Sequence, residues 1–114
     1  MPVEGFSVET EGANGHVVVT LTGDIDLAAA DALWEVLDQN LTPHGTLVVS
    51  CPAIAFLDSM GLGALIRAHH KAAELGAVFR LSEPSATVLR VLELAGIPDL
   101  FTIESGQGRP RPGA

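Results

Sequence analysis

A single cysteine, Cys51, stands in a chain of 114 residues. It has no partner within the chain, and no CxxC or Cys/His ligand spacing accompanies it, so an internal disulfide framework and a zinc site of ordinary spacing are both excluded. Cys51 therefore reads as a small, buried apolar residue. Basic residues are also scarce. Six Lys and Arg face 14 Asp and Glu, for a net charge of −8. A surface this acidic repels phosphate backbones and anionic lipid, which argues against direct nucleic-acid binding and against membrane attachment. The opening stretch MPVEGFSVET lacks the basic start and apolar core of a signal peptide. No apolar run approaches the roughly 18 residues of a membrane-spanning helix. These absences point to a cytoplasmic protein that does not insert into a membrane. No internal repeat is present.

What remains is a globular composition, 47% hydrophobic and 18% charged. The length suits a single α/β domain with a core of its own. FSVETE (Phe6–Glu11) alternates apolar and polar residues as a half-buried strand does, and HVVVTLTG (His16–Gly23) is a β-branched second strand. Asn14-Gly15 between them is a hairpin signal, so the two strands pair antiparallel. Asp26 is placed to cap a helix whose Ala30, Leu33, Trp34, Leu37 and Leu41 recur at helical spacing. Thr42 to Gly45 end that helix. TLVVSC (Thr46–Cys51) is continuously apolar, as expected of a central strand covered on both faces. A second helix starts near Ser59, with Leu62, Leu65, Ile66, His69 and Ala73 inward, Arg67, His70, Lys71 and Glu74 outward, and Gly76 as its stop. His69 reads as a partly buried residue at the core edge. Ala77–Leu81 forms a fourth strand. A third helix has Pro84 in its first turn, Val88, Val91, Leu92 and Ala95 as its stripe, and Gly96 at its end. Asp99–Glu104 is a last short strand. The pattern predicts a four- to five-stranded mixed sheet with helices packed against it, over residues 1–104. The Gly/Pro-rich residues 105–114 read as a disordered tail.

The stretch FLDSMGLGALI (Phe56–Ile66) stands out. An acid, a hydroxyl and two glycines sit where the second helix begins, although glycine in a helix interior costs about 0.5–1 kcal/mol relative to alanine. A serine-hydrolase elbow would read G-x-S-x-G; here the first glycine is missing, and the four histidines are poorly placed to act as a base. No GxxxxGK[ST] run marks a P-loop. No carboxylate pair or ligand cluster suggests glycosidase or metal chemistry, so no cofactor and no metal are expected. A cap formed by Asp58 or Ser59 accounts for the polar residues but leaves Gly61 and Gly63 unexplained. A further reading takes in both. The first turn of a helix tolerates a phosphate, because free N–H groups and the positive end of the dipole face it. Ser59 is then a cheap site for phosphorylation, and the glycines keep the surrounding surface bare for a docking protein.

Three motifs carry a family resemblance. Phe56-Leu57-Asp58-Ser59-Met60-Gly61-Leu62-Gly63 resembles the signature of the STAS domain, and in particular of bacterial anti-sigma factor antagonists. Gly23-Asp24-Ile25-Asp26 is similar to the family's Gly-(Asp/Glu)-Leu-Asp. Leu92-Glu93-Leu94-Ala95-Gly96-Ile97 is similar to its late Leu-x-Leu-x-Gly-Leu. The resemblance spans nearly the whole chain, with the motifs in the family's order.

It implies a non-enzymatic regulator of sigma-factor-dependent transcription. Such a protein binds an anti-sigma factor that is also a serine kinase, is released when that kinase phosphorylates it, and is reset by a phosphoserine phosphatase. Carried over by position, Ser59 is the phosphoacceptor, Asp58 orients it, and Asp24 helps engage the kinase. The expected partner-binding set is Asp24, Asp58, Ser59, Met60, Gly61, Leu62 and Gly63, gathered at one end of the molecule. Met60 departs from the Ser or Thr usual at its position; it either enlarges the docking patch or marks altered kinase recognition. Because the same fold also occurs in transporter tails and sensor assemblies, the competing reading is a STAS scaffold or an accessory subunit of a membrane transporter.

Overall fold

The computed structural model describes residues 5–13 and 15–104. The elements run β1 (Phe6–Ala13), β2 (His16–Ile25), α1 (Leu27–Asn40), β3 (Thr46–Leu57), α2 (Ser59–Leu75), β4 (Val78–Ser82), α3 (Ala86–Leu94) and β5 (Thr102–Glu104). The strands form one sheet in sequence order. β1 and β2 pair antiparallel, with Phe6 opposite Gly23 and Ala13 opposite His16, and every later pair is parallel. This is the mixed five-stranded α/β sheet the pattern predicts. Asn14 of the hairpin signal and residues 105–114 lie outside the described residues.

One face of the sheet and the inward faces of all three helices share a single core. Val19, Leu21 and Ile25 of β2 join Leu47, Val49 and Cys51 of β3 and Phe79 and Leu81 of β4. Leu33 and Leu37 of α1, Leu65 and Ala68 of α2, and Val88 and Leu92 of α3 close over them. Burial drives the Cys51 thiol pKa up to about 12, as expected where a thiolate would have no water around it.

The alternate strand residues face away from the helices. Val18, Thr20, Val48, Arg80, Ser82 and Glu104 line a shallow concavity of about 430 Å³ on that side, crossed by an ion pair from Arg80 to Glu104 at 3.1 Å. β3 is central, and Leu47 to Cys51 are all buried, Val48 and Ser50 on the side away from the helices included, as its continuous apolar run predicts.

Several expectations need correction. Ala95 is exposed at the C-cap of α3 and not on its inner stripe, and β5 begins at Thr102 and not Asp99. β3 does not stop at Cys51 but continues to Leu57. Its partner β2 carries it past Pro52 through two register shifts, between Thr20 and Thr22 and between Gly23 and Asp24. Each adds a residue to β3, so the core-facing positions run Leu47, Val49 and Cys51 and then Ile54 and Leu57, a spacing of three in place of two. The inner stripe of α2 is rotated from the expected one: Ala68 and Ala72 are buried, whereas Ala73 is exposed and Ile66 and His69 lie at the edge. The His69 ring meets Phe101 edge-on with centroids 5.6 Å apart. Pro84 lies before α3, not in its first turn. Ser85 is the cap, its side chain accepting from Val88 N–H and donating to the Ile54 carbonyl at 2.8 Å.

Trp34 lies on the outer edge of the α1–α2 contact. The Arg67 guanidinium sits 4.0 Å above its ring, and Lys71 pairs with Asp38 beside it. No helix among the described residues is long and apolar enough to cross a membrane.

Candidate functional site

β2 and β3 run parallel and end level, with Ile25 beside Leu57. Each is followed at once by an aspartate and a helix. Asp26 caps α1, one carboxylate oxygen accepting from Ala28 N–H at 3.0 Å and Ala29 N–H at 3.2 Å. Asp58 caps α2 in the same way, accepting from Met60 N–H at 2.9 Å and Gly61 N–H at 3.0 Å. Each cap satisfies donors that a helix start otherwise leaves unpaired, a contribution of about 0.5–2 kcal/mol. The two first turns are tied together by a bond from Asp58 N–H to the Ile25 carbonyl at 3.1 Å.

Gly61 explains how they come so close. It is buried, and a Cβ there would stand 2.5 Å from Ile25 Cγ2, 2.8 Å from Leu57 Cδ1 and 3.0 Å from the Ile25 carbonyl oxygen. Gly61 and the buried Leu62 thus face inward, which removes both from the surface a partner could touch. Only Gly63 matches the expectation of bare ground: a Cβ there would meet nothing within 4 Å. Gly23 has a similar reason to be glycine. Its φ is +101°, and a Cβ would lie 2.0 Å from the Gly5 carbonyl oxygen. That close approach lets Asp24 N–H bond the same carbonyl at 2.7 Å.

Ser59 is the first residue of α2, exposed, and its hydroxyl has no hydrogen-bond partner among the described residues. Asp24 is exposed and stands opposite Phe56 across the parallel pair. With Asp24 paired to Phe56, strands about 4.8 Å apart and at most ~3.6 Å per residue along the chain, the Asp24 and Ser59 Cα atoms lie on the order of 12 Å apart and no more than about 16 Å. Asp24, Asp58, Ser59, Met60 and Gly61 therefore meet at one end of the molecule.

Around Ser59 the surface is apolar as well as acidic. Among the described residues six large apolar side chains are exposed, and three of them gather here: Leu27 at 67%, Met60 at 51% and Phe56 at 49%. A concentration of this kind marks a docking surface more readily than scattered apolar residues do.

Compared with known proteins, residues 7–107 match the STAS domain. The chain belongs to the STAS domain family. Its STAS relatives include the anti-sigma-F factor antagonist RsfB of Mycobacterium tuberculosis, 28% identical over 103 residues that cover 90% of this chain and 84% of RsfB. An anti-sigma factor antagonist from Mycobacterium paratuberculosis has a similar crystal structure, with a TM-score of 0.75 at 25% identity over 87% of this chain and 85% of that one. The antagonist SpoIIAA shares the fold in both its states. Its unphosphorylated form gives a TM-score of 0.73 at 20% identity, covering 90% of each chain. The phosphorylated form, described as a Bacillus cell fate determinant, gives 0.70 at 18% identity, covering 90% of this chain and 93% of that one.

Within this STAS domain, two features of the site escaped sequence reasoning. Leu27 lies outside the three motifs, and Phe56 opens one of them without a role of its own; their exposure near Ser59 is what marks them. The phosphate-ready helix start also needs qualification: Asp58 already occupies the Met60 and Gly61 N–H groups. A phosphate on Ser59 would meet a carboxylate at that position instead of free donors. Among the described residues no group of three His, Cys, Asp or Glu side chains lies close enough to hold a metal ion.

Proposed function

We propose that this STAS domain is an anti-sigma factor antagonist switched by phosphorylation at Ser59. Unphosphorylated, it binds an anti-sigma factor that is also a serine kinase and so frees a sigma factor for transcription in the cytoplasm. Asp24, Asp58, Met60 and Gly63 form the contact surface around the serine, over the buried Gly61 and Leu62. The observation that carries this reading is the lone hydroxyl of Ser59, exposed and unpartnered on the first turn of α2, in a chain whose relatives bear the name of antagonists.

The chain is not itself an enzyme; the chemistry belongs to the partner. Ser59 Oγ attacks the γ-phosphorus of the kinase's ATP, its proton passes to a base on the kinase, and the bond to the β-phosphate oxygen breaks to release ADP. The product carries about −1.5 to −2 added charges at Ser59. They arise beside Asp58, near Asp24 and Asp26, and opposite the nucleotide phosphates that the kinase must hold there. Like charges brought together while water is excluded cost several kcal/mol, so the complex dissociates without the fold having to change. A phosphoserine phosphatase restores the binding form.

The test is incubation with a purified anti-sigma kinase and ATP, followed by intact-mass analysis and peptide mapping. One phosphate at Ser59 is expected; phosphate confined to Ser50, Ser82 or Ser85 rules the reading out. Ser50 and Ser82 are buried and Ser85 is engaged as a cap, so none of these is a ready acceptor.

A further inference from the structure

We propose that Leu27 and Met60 form one apolar anchor that selects which anti-sigma factor this chain binds, seating in a shallow apolar pocket bordered by basic side chains. The inference rests on the reading of Ser59 as the centre of docking.

Leu27 is the first residue of α1 and Met60 the second of α2. Their helices start side by side, because Ile25 and Leu57 are level and Asp58 N–H bonds the Ile25 carbonyl. The two residues thus stand on adjacent first turns, with Met60 next to Ser59 in the chain. Both are more than half exposed. Neither stabilises the isolated fold through burial, since their helices are anchored by Ala29, Leu33, Leu62 and Leu65. Side chains of this kind contribute when a partner covers them, and large apolar groups at the centre of a contact carry a disproportionate share of its energy. The unbranched side chain of Met60 adapts to a pocket of irregular shape.

The border of this anchor is carboxylate. Asp24 and Asp26 are exposed and Asp58 is half-exposed, in a chain of net charge −8. Acidic groups around an apolar centre favour a partner whose pocket has a basic rim, speed the encounter at low salt, and repel an acidic competitor. Selection thus has an attractive element, the fit of the two apolar side chains, and a repulsive one, the carboxylate ring.

The test uses purified anti-sigma factors encoded by the source genome, together with the anti-sigma-F factor of Mycobacterium tuberculosis, titrated against wild type, Leu27→Ser, Met60→Ser, the double variant, and Leu94→Ser. Leu94 is 77% exposed at the far end of α3 and serves as the control. For the partner that binds wild type most tightly, each single anchor variant should lose about tenfold in affinity. The double variant should lose less than the product of the two, since residues that fill one pocket of a partner are coupled. Leu94→Ser should stay within about twofold, and association should slow as salt is raised. If that partner phosphorylates Ser59 of wild type yet binds both anchor variants within about twofold, the anchor is wrong and the Ser59 reading stands. If none of the anti-sigma factors binds or phosphorylates wild type, both fall.

Discussion

Gly61 and Gly63 are two residues apart in one helix, and alanine should move the stability of the fold in opposite directions at the two positions. At Gly61 the added Cβ would overlap Ile25 Cγ2 at 2.5 Å, Leu57 Cδ1 at 2.8 Å and the Ile25 carbonyl oxygen at 3.0 Å. Ile25 is 1% exposed and its Cγ2 is fixed to a branched carbon, so it has little room to yield. Overpacking of this kind costs about 1–3 kcal/mol. The helical preference of alanine returns only about 0.5–1 kcal/mol, leaving a net loss of about 1–2 kcal/mol. At Gly63 nothing lies within 4 Å of the new atom, so the preference acts unopposed and stability should rise by about 0.5–1 kcal/mol. For a domain of this size about 1 kcal/mol corresponds to roughly 4 °C in Tm. Thermal and urea unfolding, followed by circular dichroism, should show Gly61→Ala melting several degrees lower and Gly63→Ala a few degrees higher than wild type. A shift of the same sign in both variants would refute the claim that Gly61 is a close-packing residue between the two helix starts.

Removing the Arg67 guanidinium from its place 4.0 Å above Trp34 should cost about 0.5–1 kcal/mol. Because Trp34 is the only tryptophan, Arg67→Ala should also red-shift the emission as water reaches the ring; unchanged emission together with unchanged stability would count against the stacking. Cys51, with its pKa raised to about 12 by burial, should not react with a thiol reagent at pH 8 until the protein unfolds. Above its ordinary value of 9.0 the unfolded chain gives up the thiol proton while the folded one keeps it, so stability should fall as pH rises from about 9 to about 12. With no tyrosine and one lysine in the chain, Cys51→Ala should remove much of that alkaline slope, and an equally steep slope in the variant would contradict the burial.

Local chemistry made much of the fold legible. Asp26 as a cap and Gly76 as a stop follow from rules that operate within one helical turn, and both are found there. The hairpin of β1 and β2 was readable from the alternation of the first strand, the β-branched residues of the second and the Asn14-Gly15 signal between them. The misreadings share a different cause. The second half of β3 is a strand only because β2 pairs with it through two bulges, and Pro52 in isolation signals an end. The rotation of α2 toward Ala68 and Ala72 is a matter of tertiary packing against the shared core, which periodicity within one helix does not fix. The site was legible as far as a motif could mark it. Ser59, Asp58 and Asp24 could be named in advance, but Gly61 and Gly63 look alike in a sequence. Nothing except their three-dimensional neighbours reveals that one is packing and the other open surface. Leu27 was hidden for a related reason, since an apolar residue at the start of an amphipathic helix is ordinarily read as part of its core.

The proposed switch is one in which a phosphate on Ser59 controls binding at the interface and leaves the fold unchanged. Its most direct test is calorimetric titration of an anti-sigma kinase with wild type, Ser59→Ala, Ser59→Asp and the enzymatically phosphorylated protein, with the melting temperature of each measured alongside. Wild type and Ser59→Ala should bind with similar affinity. The phosphorylated protein should bind more than about a hundredfold more weakly, the equivalent of about 3 kcal/mol, and Ser59→Asp should be weakened in the same direction. All four should melt within a few degrees of one another. Equal affinity across the four, or a loss of binding that appears only because the phosphorylated protein unfolds, would contradict the account.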